Sequence, residues 1–280
     1  MNQANIVMLT GCASGIGRRL AEALIARGHV VIATDINLEK LQEQARARRW
    51  SERSAGSPDR IWLRRLDVRD GAAWEGVLAD VVATFGGIDV LMNVAGYIRP
   101  GWVHELDSED VHRHLDINAK GVILGTQAAA RQMVEQRRGH IINFASMAAL
   151  APIPGLALYS ASKYAVRAFS LAAAEELRPH GVFVTVICPD AVRTPMFERQ
   201  KEFEEAALTF SAPRVFTVEE ISDIVLNRVL RRRPREVFIP RRRGWLARFV
   251  DLFPGAASLL VPIFRWRGRT RQARWRDDES

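Results

Sequence analysis

The chain has 280 residues, of which 48% are hydrophobic, so it can bury one large core, and its ordinary glycine, proline and aromatic contents exclude a disordered or fibrous protein. The formal charge of +8 belongs to the end of the chain, because residues 228–280 carry 15 arginines and 5 acidic residues, whereas residues 1–227 sum to −2. Only Cys12 and Cys188 are present, and residues 1–11 lack a basic and then apolar signal. We therefore expect reduced thiols, no secretory signal and a cytoplasmic location.

Apolar runs and amphipathic stretches alternate along the chain. The apolar runs predict strands at residues 6–10, 30–34, 61–66, 88–93, 140–145, 182–188 and 236–240. The amphipathic stretches predict helices at residues 15–27, 38–53, 74–85, 108–136, 159–177 and 218–231. Strands that are apolar throughout, with helices between them, are typical of a parallel sheet covered on both faces. We predict an α/β fold: one doubly wound, Rossmann-type parallel sheet in a single domain, with ligands beyond the carboxyl ends of the strands.

A glycine-rich turn, TGCASGIG at residues 10–17, joins the first strand to the first helix. Glycines allow a tight turn and a close approach of the backbone to a pyrophosphate, and a helix N-terminus offers unpaired N–H groups. A glycine cluster alone is weak evidence, but this position in the fold strengthens it. The turn predicts a dinucleotide site at Gly11, Ser14, Gly15, Ile16 and Gly17.

Asp35 ends the second strand, 18 residues after Gly17. A carboxylate at this point accepts hydrogen bonds from the adenosine ribose hydroxyls and repels a 2′-phosphate. The alternative is that Asp35 only caps the following helix. With the glycine turn, the ribose role is favoured, and the sequence predicts NAD(H) in preference to NADP(H), although Arg18 and Arg19 lie near.

Two further polar segments follow strands. Asp67 and Val68 follow the third strand, and Asn93-Val94-Ala95-Gly96 follows the fourth. Both segments are also consistent with ordinary turn chemistry. Their position at the carboxyl edge favours contact with the adenine and with the nicotinamide ribose.

A serine, a tyrosine and a lysine follow the fifth strand. Ser146 ends that strand, and Tyr159 and Lys163 lie four residues apart on the next helix, on the same face. An ammonium near a phenol favours the phenolate, so we expect Lys163 to lower the pKa of Tyr159 and to make it a usable acid/base. A serine hydroxyl can hold a substrate oxygen. By itself, a Tyr/Lys pair of this kind is more often an amphipathic surface feature.

In combination, these motifs resemble the short-chain dehydrogenase/reductase family, of the compact type, over residues 5–240. The motifs that carry the resemblance are TGCASGIG at 10–17, Asp35, Asp67-Val68, NVAG at 93–96, Asn118, Ser146, YSASK at 159–163 and PDAVRT at 189–194. Each motif is weak alone, but eight in order are specific. Two departures are visible: Val94 stands where the family often has Asn, and Asp190 where it usually has Gly. Asp190 either alters the loop geometry or places a carboxylate near the substrate.

The resemblance implies a role for each matching residue. Tyr159 would be the acid/base, Lys163 would bind the nicotinamide ribose and lower the tyrosine pKa, and Ser146 would orient the substrate oxygen. Asn118 would hold a water that connects Lys163 to solvent. Thr194 would bind the nicotinamide carboxamide, with Pro189 and Val192 forming that wall.

The predicted function is the NAD(H)-dependent interconversion of a secondary alcohol and a ketone. Apolar residues such as Ile153, Leu156, Met196 and Phe197 favour a hydrophobic substrate of steroid, retinoid or long-chain type. The alternatives are a non-catalytic nucleotide-binding scaffold, which would have no need of a tuned phenol, and a sugar-nucleotide epimerase or dehydratase, which usually has another glycine spacing and a longer carboxyl-terminal domain. The resemblance also implies a homo-oligomer, a dimer or tetramer.

Residues 241–280 lie beyond the catalytic domain at 1–240 and form a basic, aromatic extension. Trp245, Phe249, Leu252 and Phe253 share one helical face, and Pro254 and Pro262 are expected to interrupt the segment. Such a segment either lies at an anionic membrane surface or packs on its own or a partner subunit. No base-reading motif accompanies the arginines, so we expect no nucleic-acid partner. His112 and His114 are predicted to be surface residues, and no metal site is predicted.

Overall fold

A computed structural model describes residues 4–53 and 60–277. The strands are β1 (Ile6–Thr10), β2 (Val30–Asp35), β3 (Ile61–Arg65), β4 (Val90–Asn93), β5 (Gly139–Phe144), β6 (Val182–Pro189) and β7 (Glu236–Ile239). The α-helices are α1 (Gly15–Ala26), α2 (Leu38–Ala47), α3 (Trp50–Arg53), α4 (Gly71–Phe85), α5 (Ser108–Arg113), α6 (Gly121–Glu135), α7 (Ala157–Leu177), α8 (Pro195–Arg199), α9 (Val218–Ile224), α10 (Leu230–Arg232), α11 (Arg241–Leu252) and α12 (Pro254–Asp277). All predicted strands and helices are present, with ends that shift by a few residues.

The strands form one parallel sheet in the order β3-β2-β1-β4-β5-β6-β7. The chain runs outward from β1 to β3, returns to β4 on the other side of β1, and then continues to β7. The strand order therefore reverses between β1 and β4, where crossovers leave a crevice at the carboxyl ends. The prediction of a single doubly wound sheet is confirmed.

Helices cover both faces of the sheet, because alternate side chains of each strand point in opposite directions. Val7 and Leu9 pack with helices α1, α2 and α9 on one face, whereas Met8 packs with α4, α6 and α7 on the other. The strand interior is thus apolar on both sides, as the continuous apolar runs predict. The two layers hold the strand ends rigidly around the crevice.

Three predicted helices are less regular than the sequence pattern indicates. The helix predicted at 38–53 breaks between α2 and α3, where Arg49 takes a left-handed φ of 52°. The helix at 108–136 contains a π-helical stretch, His114–Lys120, and the helix at 218–231 contains another, Val225–Val229. Hydrophobic periodicity does not distinguish such wide turns from α-helix, because the apolar spacing changes by only a fraction of a residue.

The C-terminal residues fold back onto the domain as α11 and α12. The prediction that Pro262 interrupts this segment is wrong, since Pro262 lies inside α12. The later part of α12 packs on a 3-10 segment, Glu204–Ser211, and this tertiary contact outweighs the lost backbone hydrogen bond. The predicted alternatives for the extension were contact with a membrane surface and packing on its own or a partner subunit. In the structure the extension packs on its own chain. Within the described ranges, no helix is both long and apolar enough to cross a bilayer.

Candidate active site

A cleft of about 910 Å³ opens at the carboxyl ends of β1, β4, β5 and β6. Its lining includes most of the predicted site residues: Gly11, Ser14, Gly15, Ile16, Gly17, Asp35, Asp67, Val68, Ala95, Gly96, Ser146, Tyr159, Lys163, Pro189, Val192 and Thr194. A volume of this size is at the upper end for ligand pockets. The cleft therefore brings the predicted cofactor and catalytic residues into one continuous space.

The glycine turn places the N-terminus of α1 in the cleft. Gly17 packs so closely on the preceding turn that a Cβ there would lie 2.3 Å from the carbonyl oxygen of Gly11. Ser14 occupies the N-cap position, yet its hydroxyl makes no cap hydrogen bond to the helix. First-turn N–H groups and a positive helix end thus face the cleft, and they fit the pyrophosphate of a dinucleotide.

Asp35 lines the cleft and does not cap α2. Its carboxylate accepts hydrogen bonds from the backbone N–H of Ala13 at 2.9 Å and of Asn37 at 3.0 Å. The cap is Asn37, whose side chain accepts from the N–H of Lys40. The capping alternative is therefore wrong, and the fixed carboxylate fits a ribose diol beside the glycine turn.

Asp67 and Val68 also lie at the cleft, next to an arginine. Arg69 donates to both carboxylate oxygens of Asp67, at 2.7 to 3.1 Å, and holds the pKa of Asp67 below its usual value. The ionised carboxylate is an acceptor toward the cleft. This geometry fits an adenine amino group.

Asn93 lies behind the cleft, not in it. Its side chain is 2% exposed and donates to Asn143 Oδ1 at 2.9 Å within a polar cluster that includes Thr126. Of this segment, Val94, Ala95 and Gly96 line the cleft, whereas Asn93 does not. The sequence did not distinguish them, because a strand end brings both buried and open positions to the same edge.

The side chains of Ser146 and Tyr159 both line the cleft, and the Ser146 hydroxyl acts to lower the pKa of Tyr159. Ser146 follows β5 and also accepts from the N–H of Ala148 at 3.1 Å, which fixes its rotamer. Tyr159 lies in the first turn of α7. Two hydroxyls that converge from different elements offer one binding point for a substrate oxygen.

Lys163 lies one helical turn after Tyr159, and its ammonium lies 5.7 Å from the centre of the tyrosine ring. Nζ donates to the carbonyl oxygen of Phe144 at 2.8 Å, and the side chain is only 4% exposed. A buried, hydrogen-bonded lysine on the cleft wall is more than an amphipathic surface pair. The surface alternative is wrong for these two residues.

The pKa of Tyr159 was expected to be lowered, but in the protein without cofactor it is raised. Burial raises the pKa of Tyr159 to about 12, and the Ser146 hydroxyl opposes this rise only in part. Burial also lowers the pKa of Lys163 to about 8. Desolvation disfavours both charged forms, and it is the largest cause of each shift.

Asn118 lies on the π-helical stretch and holds the segment that follows β4. Its Oδ1 accepts from the N–H of Tyr97 at 2.7 Å, and its Nδ2 donates to the Tyr97 carbonyl and to Ser162 Oγ. Asn118 is fully buried. It thus connects the Gly96 segment to α7, the helix that carries Tyr159 and Lys163.

We expect the burial of Lys163 to give a specific pH dependence of stability. The pKa is 10.5 for an ordinary lysine and about 8 in the folded chain, so between these values the unfolded state binds more protons. The free energy of unfolding of the wild type should therefore rise, relative to Lys163→Met, as pH increases from about 8 to 10.5. Chemical denaturation at several pH values measures this difference in the free energy of unfolding, and Lys120→Met, at an exposed position, is the control. Parallel pH profiles for wild type and Lys163→Met would contradict the assignment.

The chain after β6 forms the remaining wall. Thr194 caps α8 by accepting from the N–H of Phe197 at 3.2 Å, and Val192 is nearly buried. Asp190 donates its N–H to the carbonyl of Ile239, and its carboxylate pairs with Arg243 at 2.6 Å. Burial raises the pKa of Asp190, and Arg243 opposes this. The carboxylate thus connects this wall to α11.

Comparison with known proteins agrees with this geometry. A family model described as short chain dehydrogenase matches residues 5–205, well over half of the chain. The chain belongs to the short-chain dehydrogenase family.

Two curated dehydrogenases illustrate the similarity. A 2,5-dichloro-2,5-cyclohexadiene-1,4-diol dehydrogenase of Sphingobium indicum is 37% identical over 191 residues, 68% of this chain and 74% of that protein. An NADP-dependent 3-hydroxy acid dehydrogenase of Escherichia coli is 35% identical over 226 residues, 79% and 87% of the two chains. A solved short-chain dehydrogenase from Streptomyces avermitilis is 27% identical with a TM-score of 0.76, covering 92% of this chain and 96% of that one. As a member of this family, the chain is an oxidoreductase acting on CH–OH groups.

One histidine of this short-chain dehydrogenase was placed wrongly from the sequence. His114 is fully buried: its Nδ1 lies 2.7 Å from the Asp110 carbonyl, its Nε2 accepts from the N–H of Arg99, and its ring packs on Tyr97. Of these two histidines, His112 is exposed. Alternating polar residues suggested a surface, but His114 lies on the same helical face as the buried Asp110. No group of three or more possible metal ligands occurs in the part of the chain described.

The sequence also missed residues of the extension that line the same cleft. They are Arg243, Leu246, Ala247, Val250, Val261 and Phe264. The apolar face predicted for this segment was a different one, Trp245, Phe249, Leu252 and Phe253, and the fold-back of α11 and α12 brings the other side chains to the cleft. Sequence distance from Tyr159 gave no signal of this contact.

Proposed function

We propose that this short-chain dehydrogenase uses NAD(H) to interconvert a hydrophobic secondary alcohol and its ketone. The observation that carries the proposal is that Ser146, Tyr159 and Lys163 share one cleft with the glycine turn and Asp35. A site for a dinucleotide and a site for a proton transfer are thus adjacent. Bound NAD supplies the hydride acceptor for alcohol oxidation, and NADH the donor for the reverse reaction.

In the oxidation direction, the substrate hydroxyl binds between Ser146 and Tyr159. Tyr159, as phenolate, takes the hydroxyl proton while the carbon–hydrogen electron pair leaves the carbinol carbon, and a C=O bond forms. Ser146 donates a hydrogen bond to the oxygen and keeps it in place. In reduction the same phenol returns the proton to the oxygen.

Lys163 supports Tyr159 by charge. Its ammonium is held near the ring by Phe144, and a positive charge there stabilises the phenolate. Because burial alone raises the pKa of Tyr159 to about 12, the proton transfer depends on cationic charge added at the cleft. The cationic nicotinamide ring of NAD is a charge of this sign.

The substrate end of the cleft favours an apolar body. The lining near Tyr159 includes Ile153, Leu156, Met196 and Leu208. Burial of apolar substrate surface against such side chains contributes about 25 cal/mol per Å². A steroid, retinoid or long-chain secondary alcohol fits this chemistry.

NAD is favoured over NADP because the Asp35 carboxylate would repel the 2′-phosphate of NADP. A serine at this position removes that charge, so we expect Asp35→Ser to lower the KM for NADP and to raise the KM for NAD. A panel of secondary alcohols, steroids and retinoids with both cofactors tests the function and this preference together, and Glu39→Gln, in the first turn of α2, is the charge control. Wild-type turnover with NADP alone would contradict the cofactor assignment, and no turnover with any substrate would contradict the function.

The remaining parts of the proposal concern assembly and location. A dimer or tetramer and a cytoplasmic location are proposed from the family resemblance and from the two buried free cysteines. Peripheral membrane contact is supported only by the exposed apolar side chains of α11, Trp245, Phe249 and Leu252. A catalytic site fits better than a nucleotide-binding scaffold, because a scaffold would not need Ser146, Tyr159 and Lys163 together in the cleft.

A further inference from the structure

We propose that the C-terminal helices α11 and α12 form the wall that selects the substrate, by binding its apolar body opposite Tyr159. This inference rests on the proposed function, because it assigns the specificity of the same cleft. The side chains concerned are Leu246, Ala247 and Val250 of α11 and Val261 and Phe264 of α12. All five are apolar, and none belongs to the matched family segment 5–205.

These side chains complete an apolar chamber. The same cleft is lined by Ile153 and Leu156, which precede Tyr159, and by Met196 and Leu208, which follow Thr194. A substrate whose oxygen meets Ser146 and Tyr159 would therefore place its carbon skeleton among these residues and those of α11 and α12. These apolar side chains suit an extended apolar group.

Helix α12 is fixed to the body by a buried amide. Nε2 of Gln272 donates to the carbonyls of Gln200, Lys201 and Phe203 at 3.2, 3.1 and 2.7 Å, and the side chain is 3% exposed. A Cβ at Gly268 would lie 2.0 Å from the Ala207 carbonyl oxygen, so only glycine permits this approach. The extension is therefore a closely fitted part of the domain.

An aromatic cluster joins the end of α12 to the chain after Thr194. Trp275 packs on Phe197 with ring centres 5.5 Å apart, and Phe197 packs on Phe210 at 4.9 Å. The guanidinium of Arg193 lies 4.7 Å from the Trp275 ring. The chain between Thr194 and Phe210 is thus packed against the end of α12.

Helix α11 is attached to both functional walls of the cleft. Arg243 pairs with Asp190, next to the proposed nicotinamide wall, at 2.6 Å. Tyr164, which directly follows Lys163 on α7, donates its hydroxyl to Asp251 at 2.8 Å. These two contacts fix the position of α11 relative to β6 and α7. They therefore limit the size of substrate that fits beside Tyr159.

The two faces of α11 allow a matched experiment. Val250 is half-buried on the cleft, whereas Phe249, its neighbour in sequence, is 60% exposed and does not line the cleft. The variants are Val250→Asp and Leu246→Asp, with Phe249→Asp as the control. Each is assayed with two secondary alcohols that share the same carbinol group, one with a short and one with a long alkyl chain.

We expect the two cleft variants to lower kcat/KM for the long alcohol by about tenfold or more, because a carboxylate replaces apolar contact surface. The short alcohol should be affected much less, NADH affinity should be unchanged, and Phe249→Asp should match wild type. Calorimetric binding of the long alcohol to the NADH complex, which needs no turnover, should show the same loss. Thermal melting verifies that each variant is folded.

Two kinds of failure are distinguishable. Suppose that wild type oxidises the alcohols, but the cleft variants lower kcat/KM for both alcohols equally or for neither. The proposal that α11 and α12 select the substrate is then wrong, and the proposed function stands. If wild type oxidises no alcohol and binds none, both proposals are overturned.

Discussion

Replacement of Tyr159 by phenylalanine is expected to lower turnover by about 10²- to 10⁴-fold, the range for loss of a general acid/base. The change removes one hydroxyl, which lines the cleft with Ser146, and leaves the ring beside Lys163. The glycine turn and Asp35 are untouched, so NADH binding should change little. Steady-state kinetics and NADH fluorescence titration measure the two effects separately.

The neighbouring tyrosine on the same helix is the matched control. Tyr164 lies outside the cleft lining and donates to Asp251, so Tyr164→Phe should keep nearly all turnover toward a short alcohol. Equal turnover in wild type and Tyr159→Phe would remove the acid/base assignment. A loss of NADH binding in Tyr159→Phe would instead indicate that the residue is structural.

Replacement of Gly17 by valine is expected to abolish dinucleotide binding. A Cβ at this position would lie 2.3 Å from the Gly11 carbonyl oxygen and 3.0 Å from that of Thr10, so the turn and the start of α1 must separate. Overpacking of this kind typically costs about 1–3 kcal/mol of stability, and it also misdirects the N–H groups that face the cleft. NADH titration and thermal melting of the variant measure both losses.

A second helical glycine provides the comparison for this prediction. Gly76 lies on an exposed position of α4, and a Cβ there would meet no atom within 4 Å. Gly76→Val should therefore bind NADH as wild type does. Wild-type affinity in Gly17→Val would show that the turn does not hold the cofactor.

The fold and the convergence of Ser146, Tyr159 and Lys163 on one cleft were predictable because their signals are local in sequence. Each strand is a short apolar run, and Tyr159 and Lys163 are separated by one helical turn. Asp35 follows the glycine turn at a fixed distance, and parallel strands bring both to one edge. These relations follow from backbone periodicity alone.

The errors arise where tertiary contacts decide. His114 is buried against Tyr97 on the same helical face as the buried Asp110, and Asn93 faces a polar cluster behind the cleft. Desolvation is the largest cause of the raised pKa of Tyr159, and sequence spacing carries no information on burial.

The extension shows the same limit. Its apolar residues were visible, but their contact with the cleft depends on Gln272 and Asp190, far apart in sequence. Pro262 was expected to interrupt this segment, yet packing of α12 on the body keeps the helix continuous. Residues of α11 and α12 line the cleft only because the segment folds back onto the domain.

Transfer of deuterium from a labelled alcohol is the most direct test of the central claim, that this cleft moves a hydride while Tyr159 moves the proton. A secondary alcohol that carries deuterium on its carbinol carbon is incubated with NAD, and the reduced cofactor is examined by mass spectrometry. We expect one deuterium in each NADH formed by wild type, and formation slowed by about 10²- to 10⁴-fold in Tyr159→Phe. NADH without the label, or labelled NADH formed equally fast by Tyr159→Phe, would contradict it.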